Sequence, residues 1–189
     1  MYVAFEGIDT CGKSTQLNIL KSKRGDFVYT KEPGGTPLGE KIRELALNFA
    51  GIDEKSRFFL FLADRAEHIQ KIILPNSGKI LISDRSVISG IAYSIFGGLC
   101  KDFVLEASKI AVNSVLPDIV IILWMDETTL SSRLHNKTND EIEKQGIQKL
   151  LQIQNEMPGI CETLGIKYHK IDASQNIEAI AKQIEEIIG

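Results

Sequence analysis

Short apolar runs alternate along the chain with longer segments in which apolar residues recur at helical spacing. The short runs predict five β-strands, at residues 2–5, 27–30, 79–83, 119–125 and 167–171. The longer segments predict helices between them, at residues 14–23, 57–73, 104–115 and 177–188. Because parallel strands joined by helices form right-handed crossovers, the pattern predicts a three-layer α/β fold, a parallel sheet with helices on both faces.

Length and charge narrow the class of protein. The chain has 189 residues, of which 43% are hydrophobic, and it contains no internal repeat or low-complexity linker. This length suits one globular domain spanning residues 1–189. The 25 acidic residues outnumber the 22 basic ones, which gives a net charge of -3. The composition therefore gives no electrostatic reason to expect binding to polymeric nucleic acid.

The cysteine pattern and the hydropathy of the chain indicate the cellular compartment of the protein. Cys11, Cys100 and Cys161 are odd in number and lack the spacing of a disulfide framework or a zinc site. The N-terminus lacks the basic and apolar pattern of a signal sequence, and no apolar stretch approaches the length of about 18 residues that spans a membrane. We expect a soluble, cytoplasmic protein without a membrane partner.

The first predicted strand leads into a glycine-rich loop, residues 7–15. Gly7, Gly12, Lys13 and Ser14 match the spacing G-x-x-x-x-G-K-[ST] of a phosphate-binding loop. Its backbone N–H groups and the following helix N-terminus would surround phosphate, Lys13 would reach the outer oxygens, and the Ser14 hydroxyl would bind Mg²⁺. The loop therefore predicts binding of a nucleoside triphosphate.

Two other stretches interrupt the alternation of strands and helices. The sequence KEPGGTPLGE, residues 31–40, is dense in Gly and Pro and predicts an exposed loop of defined shape. The polar sequence LHNKTNDEIEKQG, residues 134–146, predicts a lid over the site, at about residues 133–146. Its NKTN resembles the guanine-reading N-K-x-D of GTPases, but the final residue is Asn where a carboxylate is needed, so a GTPase is not indicated.

A second group of polar residues follows the third predicted strand, on the rim where the glycine-rich loop also lies. Asp84 is placed to hold Mg²⁺ through water, and Arg85 offers a planar fork to a second phosphate group. Ser89 and Tyr93 follow in the next helix. An ordinary surface ion pair is the alternative for Asp84 and Arg85, but two phosphate-binding groups on one rim favour phosphoryl transfer between two nucleotides.

A third group lies in RFFLFLADRAEH, residues 57–68. Helical spacing places Phe61 and Arg65 one turn apart, so that an aromatic plane and a guanidinium would face one ligand. Such a pair would stack on a base and donate to its carbonyl edge. An amphipathic core helix is the alternative, and it is the interpretation we adopt for Phe58, Phe59 and Leu62.

Taken together, FEGIDTCGKSTQ, KEPGGT, FLFLADRAEH, DRSVISGIAYS and the late IDAS resemble the successive motifs of the thymidylate kinase family. The resemblance implies a five-stranded parallel sheet, a lid, Mg·ATP as phosphate donor, dTMP as acceptor, dTDP as product for dTTP biosynthesis, and a homodimer. ATP would then contact the loop residues Gly7, Ile8, Asp9, Thr10, Cys11, Gly12, Lys13, Ser14 and Thr15. Another nucleoside monophosphate or deoxynucleoside kinase, and a nucleotide-gated regulatory ATPase, remain alternatives.

The resemblance also assigns roles on the acceptor side. Asp9 would accept a hydrogen bond from the 3'-hydroxyl of dTMP, although a purely turn-forming role is the alternative. By the same resemblance, Arg85 would bind the dTMP phosphate, Phe61 would stack on thymine, and Arg65 would donate to thymine O4. Tyr93 would occupy the space of a 2'-hydroxyl, Pro33 would line the base pocket, and Ser89 would lie beside dTMP.

The lid departs from the family pattern. Relatives carry arginines there, whereas this chain has DEIE, with Glu141 in the place of an arginine, and Gln152 and Gln154 in the next helix. Arg133 is the only arginine after Arg85. We therefore expect Arg133 to act in catalysis beside Lys13, Arg85 and Asp9, by bridging donor phosphates or stacking on adenine.

Overall fold

The computed structural model describes residues 1–134 and 141–189, with the backbone alone for 141–145. Its strands, in chain order, are β1 (Tyr2–Glu6), β2 (Val28–Lys31), β3 (Leu81–Asp84), β4 (Ile119–Trp124) and β5 (Lys167–Asp172). Its α-helices are α1 (Lys13–Lys23), α2 (Pro37–Asn48), α3 (Glu54–His68), α4 (Val87–Phe96), α5 (Lys101–Val112), α6 (Glu127–Leu134), α7 (Glu141–Thr163) and α8 (Ile177–Ile188).

The five strands form one parallel sheet in the order β2-β3-β1-β4-β5. The predicted α/β fold and its five-stranded sheet are thus confirmed. Every residue of β1 is buried, because this strand lies in the middle of the sheet and helices cover both faces. Strand β1 leads into the glycine-rich loop and β3 into Arg85, and these two strands are neighbours. The fold therefore brings two of the predicted groups to one rim.

Capping residues place the beginnings of the helices that carry the site. Asp53 accepts hydrogen bonds from the backbone of Lys55 and Ser56, so that α3 begins three residues before the predicted start. Ser86 caps α4 by accepting from the Ile88 backbone N–H. After His68 the helix continues as a π-helical turn to Ile73, which accounts for the longer predicted segment.

The prediction of an exposed loop at residues 31–40 is wrong for the loop itself, although Lys31 before it and part of the following helix are exposed. Glu32, Gly34 and Thr36 are buried, and helix α2 already begins at Pro37. The Thr36 hydroxyl accepts from the Gly39 N–H, which caps this helix. The stretch folds inward because buried polar side chains of α3 satisfy its backbone and its carboxylate.

The core prediction for helix α3 is correct for two of its three residues. Phe58 is buried, and Leu62 packs against the core. Phe59 is half exposed, so its assignment to the core is wrong. Its ring contacts Phe58 and Phe103 at centroid distances of 6.0 and 6.2 Å, on the outer side of the helix pair α3 and α5.

The predicted lid falls only partly on described residues. Arg133 belongs to helix α6, and α7 begins at Glu141. Residues 135–140, which include all of NKTN, and the Glu141 side chain lie outside the described part. Within the parts of the chain that the structure describes, no helix has the length and apolar character to cross a membrane.

Candidate active site

The glycine-rich loop adopts backbone conformations that its sequence makes possible. Gly7 and Gly12 have φ values of 140° and 94°. A Cβ on Gly7 would lie 2.8 Å from both the Cys11 sulfur and the Leu123 carbonyl oxygen. Thr10, which has a side chain, is held at φ 67° in the left-handed region, where such residues are strained. The loop is therefore a fixed structure packed against β4.

Lys13 lies inside this loop. Its Nζ donates to the carbonyl oxygens of Gly7 and Ile8, at 2.8 and 3.1 Å, and lies 3.5 Å from the Cys11 sulfur. The side chain is buried, whereas Ser14 and Thr15 at the start of α1 are exposed. The loop therefore holds the Lys13 ammonium at its centre and presents hydroxyl groups at the helix N-terminus. This arrangement suits an anionic ligand.

Asp9 faces Arg85 across the rim. Its Oδ1 accepts from Arg85 Nη2 at 2.8 Å, and the carboxylate is otherwise largely exposed. The acid in the middle of the loop thus pairs with the group that follows β3. This contact gives Asp9 a partner outside its own turn.

Arg85 is held by contacts from the glycine-rich loop and from helix α4. Its Nη1 donates to the Gly7 carbonyl oxygen at 3.2 Å and to the Ser89 hydroxyl at 2.9 Å. Its guanidinium carbon lies 5.7 Å from the centre of the Tyr93 ring. The residue has φ 70°, a strained conformation for a side chain of this size. Arg85, Ser89 and Tyr93 therefore come together as expected, with Ser89 buried beneath the guanidinium.

Glu6, at the end of β1, anchors this arrangement. Its buried carboxylate accepts from the Ser86 N–H and hydroxyl, both at 2.8 Å, and from the Ser89 hydroxyl. Burial raises the pKa of the Glu6 carboxyl above its ordinary value, although the Ser89 hydrogen bond and Arg85 oppose the increase. Glu6 joins the central strand to the N-terminus of α4 and, through Ser89, to Arg85.

Asp84 and Ser14 are the residues predicted to hold Mg²⁺. Asp84 Oδ1 is buried and has no hydrogen-bond partner in the described part of the chain, so one carboxylate oxygen is left for a cation or its water. No cluster of three His, Cys, Asp or Glu side chains suited to a metal occurs among residues 1–134 and 146–189. Such a sparse set fits Mg²⁺, which keeps several waters and binds substrate phosphates.

The predicted base-binding residues lie on α3 and in the loop after β2. Arg65 is buried and pairs with Glu32, its Nε lying 2.9 Å from Oε2. Arg65 Nη1 is buried without a hydrogen-bond partner among the described residues. Phe61 is half-buried one turn earlier, and Pro33 adjoins Glu32. The helix thus places an aromatic ring one turn before an unsatisfied donor.

Arg133 approaches the glycine-rich loop from helix α6. Its Nη1 donates to the Thr10 carbonyl oxygen at 3.0 Å, and its Nη2 donates to the Ala173 carbonyl oxygen, in the IDAS sequence after β5. Gln154 is buried and bonds both the N–H and the carbonyl of Met125, at 3.0 and 2.8 Å. Arg133 therefore fastens the loop to the segment after β5, and Gln154 is structural.

Sequence reasoning missed the buried polar residues that hold the site. Glu6, Glu32 and His68 were quoted within motifs, but they received no role. A signal was present for Glu6 and Glu32, since each is a carboxylate at the end of a predicted strand beside a glycine- or proline-rich turn. Their partners lie 80 and 33 residues away in the sequence, so only the fold identifies them.

Comparison with known proteins decides the family. The family model described as thymidylate kinase matches residues 5–184. The chain belongs to the thymidylate kinase family. It is 48% identical to a thymidylate kinase of Aliarcobacter butzleri, over all of this chain and 99% of that protein, and 45% identical to one of Helicobacter hepaticus, over all of this chain and 98% of that protein.

A solved structure agrees with the sequence relatives. The crystal structure of thymidylate kinase from Ehrlichia chaffeensis superposes with a TM-score of 0.79 at 27% identity, covering all of this chain and 97% of that one. The glycine-rich loop, the residues after β3 and the polar face of α3 therefore belong to a kinase of this family.

Proposed function

We propose that the protein transfers the γ-phosphoryl group of Mg·ATP to dTMP, which yields dTDP and ADP. The observation that carries the proposal is the rim where the glycine-rich loop meets Arg85. Beside this rim lies Arg65, whose Nη1 group has no hydrogen-bond partner among the described residues. A regulatory ATPase needs neither a second phosphate site nor a base-reading pair. The family membership supports the same activity.

We assign the roles of the residues from their positions and from the family resemblance. The backbone of residues 7–15 and Lys13 bind the ATP phosphates, and Mg²⁺ would be held by Ser14 and, through water, by Asp84. When bound, Mg²⁺ neutralises charge on the phosphate oxygens. Arg85 binds the dTMP phosphate, and Asp9 accepts from its 3'-hydroxyl. An oxygen of that phosphate then attacks the γ-phosphorus in line, and ADP leaves.

The base pocket is assigned to the remaining residues of the acceptor side. Phe61 stacks on thymine, Arg65 Nη1 donates to its O4, and Pro33 lines the pocket. Tyr93, whose ring lies beside Arg85, occupies the space of a ribose 2'-hydroxyl. Ser89 acts beneath the substrate, since its hydroxyl joins Arg85 to Glu6.

We assign a positioning role to Arg133. Two backbone carbonyls already occupy its guanidinium, so its contribution is to hold Thr10 and Ala173 at the donor site. This assignment differs from the expected bridge between donor phosphates. A planar fork satisfies both carbonyls at once, which a lysine ammonium on a flexible stem does less well.

The proposal includes the location and the assembly of the enzyme. All three cysteines are free thiols, which fits a reducing cytoplasm. Large apolar side chains are exposed on α3 and on the two helices that pack against it, α2 and α5; they are Leu38, Leu45, Leu47, Phe59, Phe103 and Ile110. An apolar surface of this kind is typical of a protein interface, and we propose that a second copy of the chain covers it.

Substrate choice tests the function directly. ADP release from the purified protein should require an acceptor and should be fastest with dTMP among dTMP, dUMP, CMP, AMP and GMP. Because burial of the 5-methyl group contributes about 0.8 kcal/mol, kcat/KM for dTMP should exceed that for dUMP by about fourfold or more. Equal values for dTMP and dUMP would exclude thymine recognition, and acceptor-independent ADP release would favour a regulatory ATPase.

Separate variants test Arg85 and Asp9, which pair with each other at the rim. Arg85→Ala should lower kcat by about 10² to 10³, the scale of a lost donor to developing charge. Asp9→Asn should raise KM for dTMP and leave KM for ATP nearly unchanged. Asp26→Asn, which removes the acid of an exposed Asp–Arg pair elsewhere on the surface, is the matched control. A higher KM for ATP alone in Asp9→Asn would contradict the assignment of Asp9.

The role of Arg133 is open to a similar comparison. Arg133→Ala should lower kcat/KM for ATP by about 10², because small misplacements of a catalytic loop cost about that much. Arg133→Lys should recover only part of the loss. Ser132→Ala, at an exposed neighbour that bonds the Thr129 carbonyl within α6, should behave as wild type. Near-normal turnover by Arg133→Ala would show that the donor loop holds its shape without this contact.

Sedimentation velocity tests the assembly. The wild-type chain should sediment as a dimer, and Phe59→Glu should sediment as a monomer, because a charge at the centre of an apolar interface leaves a buried ion unpaired. The control is Ile177→Glu, which places the same charge at an exposed isoleucine of α8. A monomeric wild type, or a dimeric Phe59→Glu, would refute this interface.

A further inference from the structure

Four polar side chains form a continuous hydrogen-bonded chain beneath the base pocket, and the proposed reaction assigns a role to only one of them. They are Thr30 at β2, Glu32 in the following loop, and Arg65 and His68 on α3. Glu32, Arg65 and His68 are exposed by 3%, 4% and 0% of their surfaces. Burying so many polar groups is unfavourable unless each has a hydrogen-bond partner, so each side chain is restricted to the arrangement that gives it one.

Hydrogen bonds connect the four side chains in sequence. Arg65 Nε donates to Glu32 Oε2 at 2.9 Å. His68 Nδ1 lies 2.7 Å from Glu32 Oε1 and His68 Nε2 lies 2.7 Å from the Thr30 hydroxyl. Because a carboxylate only accepts, Nδ1 carries the proton, and in the neutral ring Nε2 accepts from Thr30. Each oxygen of Glu32 is thus assigned to one partner.

The same contacts fix the direction of the arginine. With Nε held by Glu32 and Nη2 near the Ser86 carbonyl oxygen at 3.5 Å, the unpartnered Nη1 cannot rotate away without breaking the pair. Space is equally restricted, since a Cβ on Gly90 would lie 2.4 Å from Arg65 Nη2 and one on Gly35 would lie 2.6 Å from the His68 ring. Glycines thus let two backbones close on these side chains.

Within this hydrogen-bonded chain of side chains, the charges of Glu32 and Arg65 balance each other. Burial raises the pKa of the Glu32 carboxyl, but Arg65 and the hydrogen bond from His68 outweigh this effect and hold the pKa below its ordinary value. An ionised Glu32 neutralises Arg65. The guanidinium therefore offers its free donor to a neutral carbonyl oxygen rather than acting as an unpaired charge that attracts phosphate.

We propose that His68, acting through Glu32, is a positioning residue that aims Arg65 Nη1 at position 4 of the pyrimidine and so sets the selectivity for a 4-oxo over a 4-amino base. The proposal rests on the proposed function, because it requires that a pyrimidine nucleotide bind beside Phe61 and Arg65. A fixed donor rejects a 4-amino group, which would place two donors face to face and leave both unpaired.

The test compares three acceptors: dTMP, 5-methyl-dCMP, which replaces the 4-oxo group by an amino group, and dUMP, which lacks only the 5-methyl group. Wild type should prefer dTMP to 5-methyl-dCMP by about 10² or more in kcat/KM. In His68→Leu this ratio should fall about tenfold, the scale of one charge-assisted hydrogen bond, with a higher KM for dTMP and an unchanged KM for ATP. The ratio of dTMP to dUMP should not change.

Three further variants separate positioning from loss of stability. His68→Asn keeps a donor near the position of Nδ1 and should retain most of the selectivity. Glu32→Gln should lose it as His68→Leu does, provided that this variant folds. Gln154→Leu also removes a fully buried polar side chain with two hydrogen bonds, but on the donor side, and should leave both ratios at the wild-type values.

The outcomes are distinguishable. An unchanged ratio of dTMP to 5-methyl-dCMP in His68→Leu, or an equal loss with all three acceptors, would overturn the inference, since a purely structural role lowers every substrate alike. A wild-type protein that phosphorylates none of the three acceptors would refute the proposed function itself. Loss of selectivity in His68→Leu with recovery in His68→Asn supports the inference.

Discussion

The candidate site depends on one buried carboxylate at the end of the central strand. Glu6 receives the N–H and hydroxyl groups of Ser86 and the hydroxyl of Ser89, and thereby fixes the N-terminus of α4 against β1. The strained backbone of Arg85 lies between the end of β3 and this anchor. Without the anchor, the turn would relax toward an ordinary conformation, and the guanidinium would lose its position over the donor loop.

A second carboxylate repeats this arrangement on the other side of the acceptor pocket. Glu32 holds Arg65 as Glu6, through Ser89, holds Arg85, and both acids are buried at the carboxyl end of a strand or just beyond it. A buried ion pair such as that of Arg65 and Glu32 contributes little to net stability, but removing one partner is severely unfavourable. The buried carboxylates therefore serve mainly to orient Arg65 and Arg85, and the apolar sheet supplies most of the stability.

Local patterns predicted much of the fold and several groups of the site. The five strands, helix α8 and the glycine-rich loop are each specified by residues close together in the sequence, so periodicity and spacing were sufficient. Phe59 was misassigned because periodicity identifies an apolar face without showing what covers it. The inward fold of residues 31–40 and the contacts of Arg133 with Ala173 depend on residues distant in the sequence, which no local pattern encodes.

Asp9 gives the two substrate sites a common element. Its backbone belongs to the loop that we propose binds the donor phosphates, while its side chain pairs with Arg85, which we propose binds the acceptor. Any change in this carboxylate that accompanies binding at one site alters the free energy of binding at the other, and thermodynamic linkage requires the effect to be the same in both directions. With the proposed site assignments, the loop would couple donor and acceptor affinities as a reciprocal, heterotropic interaction within a single turn of backbone.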